Sequence, residues 1–221
     1  MKPLHLLAPA LLAAIAAPVS AQNTASCSAR SAAQPPAIVE LYTSEGCSSC
    51  PPADRWLSAL KGRSDVLALA FHVNYWDRLG WPDRFATTAT TERQHLLQRA
   101  SGAPYVYTPQ VVHNGRDLRG WSGAALPRPA ASDVQVALER DGARVRATIA
   151  APASRALAGY WAVLEDGHTS RVKAGENSGE TLAHDHVVTR YQPVAAWTDS
   201  TREFTLALPT ATSKSRRVVF V

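Results

Sequence analysis

The sequence predicts two folded units in series: an α/β domain built around a pair of cysteines, then an antiparallel β-sandwich. Three observations predict this. The stretch IVELYTSEGCSSCPP at 38–52 reads as a buried strand, a short turn, two cysteines separated by two serines, and a helix start. A second apolar run, VLALAFHV at 66–73, is too short for most helices and follows one helix later, as a parallel strand does in a βαβ crossover. From residue 133 onward, short apolar runs alternate with turn signals such as Asp141-Gly142 and Asp166-Gly167.

Residues 1–21 read as a secretory signal peptide. Lys2 gives the positive start, residues 4–19 are mostly Leu and Ala, and Val19-Ser20-Ala21 supplies small residues for cleavage before Gln22. Pro9, Pro18 and the shortness of the run argue against a membrane span, and no later segment is apolar enough for one. The expected location is therefore periplasmic or secreted, where disulfides persist. Removing 1–21 takes away one Lys and no acid, so the net charge falls from +5 to +4. The positive charges are scattered. Lys214, Arg216 and Arg217 form the one dense group and read as a solvated loop before a strand. No nucleic-acid motif is visible, and no nucleic-acid partner is expected. Residues 22–36, rich in Ser, Ala and Gln, read as a flexible leader. Within it Cys27 is left over if Cys47 and Cys50 pair, and is either free or in a mixed disulfide.

The first domain is expected over 37–125. Strand 38–42 leads to the cysteines, and Pro51-Pro52 fall in the first helical turn, where proline is tolerated. The helix carries Trp56, Leu57 and Leu60 at helical spacing and ends before Gly62. After strand 66–73 comes NYWDRLGWPDRF at 74–85, an aromatic loop broken by Gly and Pro. Its Tyr75, Trp76, Trp81 and Phe85 either cover the core or form an apolar platform for a polypeptide beside the cysteines. A helix capped by Thr91 is expected to run to about Ala100. Thr108-Pro109 then precedes a strand ending in Asn114-Gly115, a hairpin signal, with 116–119 as the return strand. LPRPAA within 126–132 reads as a linker. Strands over 134–138, 143–149, 160–165, 171–174, 182–191, 202–208 and 218–221 would build the sandwich over 133–221, of immunoglobulin-like type.

A strand, a turn and CxxC at a helix start point to thiol redox chemistry, because unpaired N–H groups and the helix dipole stabilise a thiolate. A structural disulfide and half of a zinc site are the alternatives, and zinc would need two further ligands. Glu40, mid-strand among apolar residues, is either a proton acceptor for Cys50 or a member of a strand-edge salt bridge. Glu45 would oppose a thiolate through its like charge. His72 reads as a packed core histidine. His184 and His186, two apart on one strand, share a face that could ligate copper or zinc, and His168 could join them; two histidines without a located third ligand are a weak metal signal, and so is His113.

Strand, CxxC, helix, strand, helix, Thr-Pro, strand and Asn-Gly together resemble the thioredoxin/glutaredoxin fold. More closely, VELYTSEGCSSCPPADRWL, ALAFHVNYWDRLGW, VYTPQVV and GENSGETLAHDHVV resemble the DUF1223 family of exported thioredoxin-like proteins, over most of residues 37–220. The resemblance implies an α/β thioredoxin-like domain, with Pro109 as a cis-proline facing the cysteines. Asn74 departs from it, since an Asp is expected there. It implies a fold more than a reaction.

The expected function is thiol–disulfide exchange on exported proteins with cysteines, shared with a redox partner. Cys47 would attack a partner disulfide and Cys50 would resolve it, with Pro109 and Glu40 assisting. Thr108, Tyr75, Trp76 and Trp81 would bind the polypeptide. No cofactor or resident metal is expected. The rivals are a binding or scaffold protein stapled by Cys47–Cys50, and a copper- or zinc-handling protein.

Overall fold

A computed structural model describes residues 27–208 and 214–221. The expected signal peptide and residues 22–26 lie outside the described residues. In chain order the strands are β1 (Cys27–Arg30), β2 (Ala37–Thr43), β3 (Val66–His72), β4 (Gln110–His113), β5 (Arg116–Asp117), β6 (Gln135–Asp141) and β7 (Arg144–Ala150). They continue as β8 (Leu157–Glu165), β9 (His168–Arg171), β10 (Thr181–His184), β11 (Val187–Trp197), β12 (Thr201–Ala207) and β13 (Arg216–Phe220). The α-helices among the described residues are α1 (Pro51–Ser58) and α2 (Thr88–Ser101).

The molecule is therefore mostly β, which corrects the expected series of an α/β thioredoxin-like domain and an immunoglobulin-like sandwich. A seven-stranded sheet in the order β13-β8-β11-β3-β2-β4-β5 takes strands from both sides of residues 126–132. A four-stranded sheet, β1-β6-β7-β12, and the hairpin β9–β10 complete it. The physical reason lies in β8 and β11. The stretch 160–165, YWAVLE, is buried on both faces, the mark of a central strand rather than of one wall of a sandwich. Tyr160, Ala162 and Leu164 pack with Tyr42, Phe71 and Leu97 of α2, while Trp161 and Val163 pack with Val145, Ala147, Ile149 and Leu206 of the four-stranded sheet. β11 then pairs antiparallel with β8 and, through Val187, parallel with β3.

Locally, many expectations hold. β2 and β3 are parallel and in register from Ala37↔Val66 to Thr43↔His72, joined through α1. Asn114 (φ 48) and Gly115 (φ 79) make the tight β4–β5 turn, because both occupy the left-handed region that Asn-Gly tolerates. Two elements move. Cys27–Arg30, expected in a flexible leader, pairs antiparallel with β6 as an edge strand. Helix α2 starts one turn early: Thr87 is its cap, in a reciprocal box with Thr90.

Candidate functional site

β2 ends at Thr43, and a turn carries the chain through Ser44, Glu45 and Gly46 to Cys47. The N–H of Cys47 bonds the Ser44 carbonyl at 3.2 Å. A Cβ at Gly46 would stand 3.0 Å from the Cβ of Trp76 and 3.4 Å from its carbonyl oxygen, so the close approach of these segments requires glycine. Cys47 and Cys50 form a disulfide. Cys50 caps α1 and Pro51 opens it, placing the bridge where the helix leaves its first N–H groups unpaired. Both cysteines have 0% exposure, while Ser48 and Ser49 between them are exposed. The Ser49 hydroxyl lies 3.4 Å from Cys47 Sγ.

The turn that carries the bridge is also bonded from far along the chain. The loop 172–180 between β9 and β10 lies across the turn. Asn177 Nδ2 donates to the carbonyls of Glu45 and Cys47, each at 2.9 Å. Ser48 donates its N–H (3.0 Å) and its hydroxyl (2.8 Å) to Glu176 Oε2. These two donors hold the Glu176 carboxyl below its ordinary range.

Beneath the turn is a cluster of buried ionisable groups. His72 Nδ1 lies 2.6 Å from Asp83 Oδ2, and neither side chain has any exposure. Burial opposes a charge on His72, but the Asp83 carboxylate outweighs it and raises the imidazole pKa. Burial likewise pushes Asp83 up, and His72 with the N–H groups of Glu45 and Phe85 brings it below its usual value. Glu45 has 0% exposure. Trp81 Nε1 donates to its Oε2 at 2.8 Å, and His184 Nε2 stands 3.2 Å from its Oε1. Burial pushes Glu45 up, yet His184, Ser170 and Trp81 around it hold its carboxyl low. Asp54, in the first turn of α1, is the opposite case: burial dominates and raises it, against the charges of His72 and His184. The rings of His72 and His184 meet edge to face at 4.9 Å, with Phe85 against both.

The expected residues divide. Trp76 Nε1 donates to Thr108 Oγ1 at 2.8 Å, so Trp76 ties the Thr108–Pro109 segment to the turn before Cys47. The Thr108–Pro109 peptide is cis. Trp81 binds Glu45, and Tyr75 donates to Gln94 Oε1 at 3.3 Å, with burial lifting its phenol to about 12. Both are half-buried within the site's wall, with their polar atoms already bonded.

Glu40 lies elsewhere. Its carboxylate is bound by Arg93, by Tyr42 (2.8 Å) and by Tyr160 (3.0 Å), and the Arg93 guanidinium lies 4.0 Å from the Tyr160 ring centroid. Val39 and Leu41 face α1, whereas Tyr42 packs in the opposite cluster with Tyr160; by strand alternation Glu40 shares the Tyr42 face. The salt-bridge reading describes Glu40, and the structure does not bring it to Cys50.

His184 and His186 do not share a face. β10 ends at His184, and His186 adopts φ 57, which breaks the alternation. His186 Nδ1 lies 2.9 Å from Arg217 and His168 bonds Glu165 at 3.0 Å, while His113 meets the Pro127 carbonyl. Among the described residues no group of three or more His, Cys, Asp or Glu is arranged to hold a metal ion. Cys27 is exposed and unpaired in a disulfide, on the four-stranded sheet. Sequence reasoning missed Asp54, Asp83, Glu176 and Asn177 as members of the site. The GENSGE stretch was conspicuous, but nothing local ties it to residues 128–132 positions earlier.

A family described as "Protein of unknown function (DUF1223)" matches residues 38–221. Among solved structures, a structural-genomics protein of Agrobacterium tumefaciens is similar, with 30% identity and a TM-score of 0.60, over 77% of this chain and 78% of that one. HBP35 of Porphyromonas gingivalis is similar in fold, with 15% identity and a TM-score of 0.57, over 86% of this chain and 69% of that one. No curated protein sequence matches the chain significantly.

Proposed function

The chain belongs to the DUF1223 family, and from its site we propose that it is an exported protein that exchanges thiols and disulfides with cysteines of other polypeptides, through Cys47 and Cys50. The observation that carries this reading is the closed CxxC bridge at the start of α1, set above five buried ionisable side chains: Glu45, Asp54, His72, Asp83 and His184. A thiolate released there sits at a helix N-terminus, which stabilises it. The step balances simply. A partner thiolate attacks Cys47 Sγ, the Cys47–Cys50 bond breaks, and Cys50 leaves as a thiolate. The partner's second thiol then attacks the mixed disulfide, leaving the partner oxidised and both cysteines reduced. The reverse sequence, in which the Cys47 thiolate attacks a partner disulfide and Cys50 resolves the mixed disulfide, reduces the partner and re-forms the bridge. Export is supported by the leader-like residues 1–21 and by a disulfide, which persists in oxidising compartments. Among the described residues no helix is long and apolar enough to cross a membrane.

One observation favours a second reading. Both cysteines are fully buried, as in a structural staple of a binding or scaffold protein. A titration of residues 22–221 in glutathione buffers, with acid trapping and mass counting of alkylated cysteines, separates the two. A reversible two-electron transition at Cys47/Cys50 supports exchange, whereas a bridge that stays closed well below about −300 mV is structural.

A further inference from the structure

We infer that the loop 173–179 is a strap that closes the disulfide to partners, with Glu176 and Asn177 as its latches and an extended polypeptide as the ligand that lifts it. The inference rests on the exchange reading for its purpose, but not for its geometry.

The base of the strap is anchored. Val172 is 1% exposed and Leu182 8%, and the Val172 and Glu180 backbones are joined by the Val172 N–H bond at 2.9 Å. The tip is held differently, by the buried Asn177 side chain and by backbone bonds within the loop, from Ser178 to Gly175 (3.2 Å) and from Glu180 to Asn177 (3.1 Å). Glu176, Ser178 and Gly179 are exposed, and Gly175 meets Gly46, Trp81 and Leu79 without a side chain of its own. It is held down by the bonds of Asn177 to the Glu45 and Cys47 carbonyls and of Glu176 to Ser48. A buried base with a tip fastened by polar contacts is a segment that opens locally without unfolding the rest. Gly175 (φ 75) and Gly179 (φ 94) bracket the latches in backbone conformations that favour glycine.

The latches also describe what displaces them. Asn177 presents amide N–H groups to the Cys47 and Glu45 carbonyls, and Glu176 presents an oxygen acceptor to the Ser48 N–H. The main chain of an extended peptide carries the same donor and acceptor pair. A partner cysteine segment laid along residues 45–48 would replace the strap bond for bond, and would uncover Cys47 as it does so. With the strap down, a sulfur with 0% exposure offers no approach for the attack that exchange requires.

The test follows the rate at which tris(2-carboxyethyl)phosphine reduces Cys47–Cys50 in folded protein, by quenched alkylation and mass, for wild type, Glu176→Gln, Ser48→Ala and Asn177→Ala. Glu176 and Ser48 are exposed, so their variants remain folded even where Asn177→Ala does not. The wild-type rate should level off as phosphine rises, because opening limits it. The latch variants should react at least tenfold faster at the same phosphine concentration. Rates within twofold of wild type, rising linearly with phosphine in every variant, overturn the strap. A glutathione titration of the same proteins keeps the two ideas apart. Fast variants whose bridge resists glutathione at every ratio uphold the strap and defeat exchange. A reversible pair with equal rates in all variants does the reverse.

Discussion

Replacing Asp83 by Asn should change stability by an amount that shrinks as pH rises. In the native protein the His72–Asp83 pair is fully buried at 2.6 Å. The folded pKa of His72 is raised above its ordinary 6.5, so its contribution is complete below about pH 6.5 and is lost as pH rises through the folded value. The folded pKa of Asp83 is lowered below 3.8, so its contribution is complete above about pH 3.8 and is lost as pH falls through the folded value. Both terms are therefore present near pH 5.5. Removing one partner of a buried pair there should cost about 3–5 kcal/mol, since the burial of His72 then has no carboxylate to offset it. Above the folded pKa of His72 the imidazole is neutral in the native protein too. The cost should then fall toward about 1–3 kcal/mol, that of a lost buried hydrogen bond. Glu45, Asp54 and His184 also face this pair, which is why the difference between variant and wild type is the quantity to follow. Urea unfolding of both proteins from pH 5 to 9 measures it. A difference that is flat across that range, or that grows with pH, would refute the reasoning.

Arg93→Met should cost about 3–5 kcal/mol in urea unfolding, because it strands the buried Glu40 carboxylate. Pairing it with Glu40→Leu should recover much of that loss, and a double variant no better than the single one would contradict the ion-pair account. Thr87→Ala should lower stability by about 1 kcal/mol through loss of the α2 capping box, read as a fall in Tm. Gly46→Ala should destabilise by about 1–3 kcal/mol, because its Cβ would meet Trp76 at 3.0 Å, and should disturb the redox behaviour of the neighbouring bridge in the glutathione titration.

How much of this was legible depends on range along the chain. The β2–cysteine–α1–β3 unit was readable because each part is signalled locally: an apolar run, a turn, prolines at the helix start, a second run. The run TTATT at 87–91 offers several threonines as caps, and tertiary contact decides between them, since Thr90 also donates to the His72 carbonyl at 2.7 Å. The strands of the second half were recognisable by alternation, but alternation says which side chains are buried, not which edges pair. Only the double-sided burial of 160–165 betrays that β8 belongs at the centre of a sheet. The HDH sequence at 184–186 looked like one continuous strand until His186 turned through a positive φ. The site itself was half visible. Cysteine spacing carries its own signal, whereas Asn177 and Glu176 are ordinary loop residues whose role exists only once the hairpin has folded back.

The burial of the bridge has to be weighed against what the bridge contributes. Cys47 and Cys50 are three positions apart, and closing so short a loop restrains little of the unfolded chain, about 2 kcal/mol by the loop-entropy relation. Around it the fold keeps Glu45, Asp54, His72 and Asp83 out of water, and each of these costs several kcal/mol unless paired. Asp54 is not rescued by its neighbours, since burial still raises its pKa. A staple that yields so little does not explain why a carboxyl disfavoured in its charged form is kept in the first turn of the helix that Cys50 caps. On the exchange reading proposed above, a bridge that opens would account for it. On that reading, breaking the bridge creates thiolate charge and calls for proton movement, and Asp54 lies buried in the first turn of the helix that Cys50 caps, where such a charge would form.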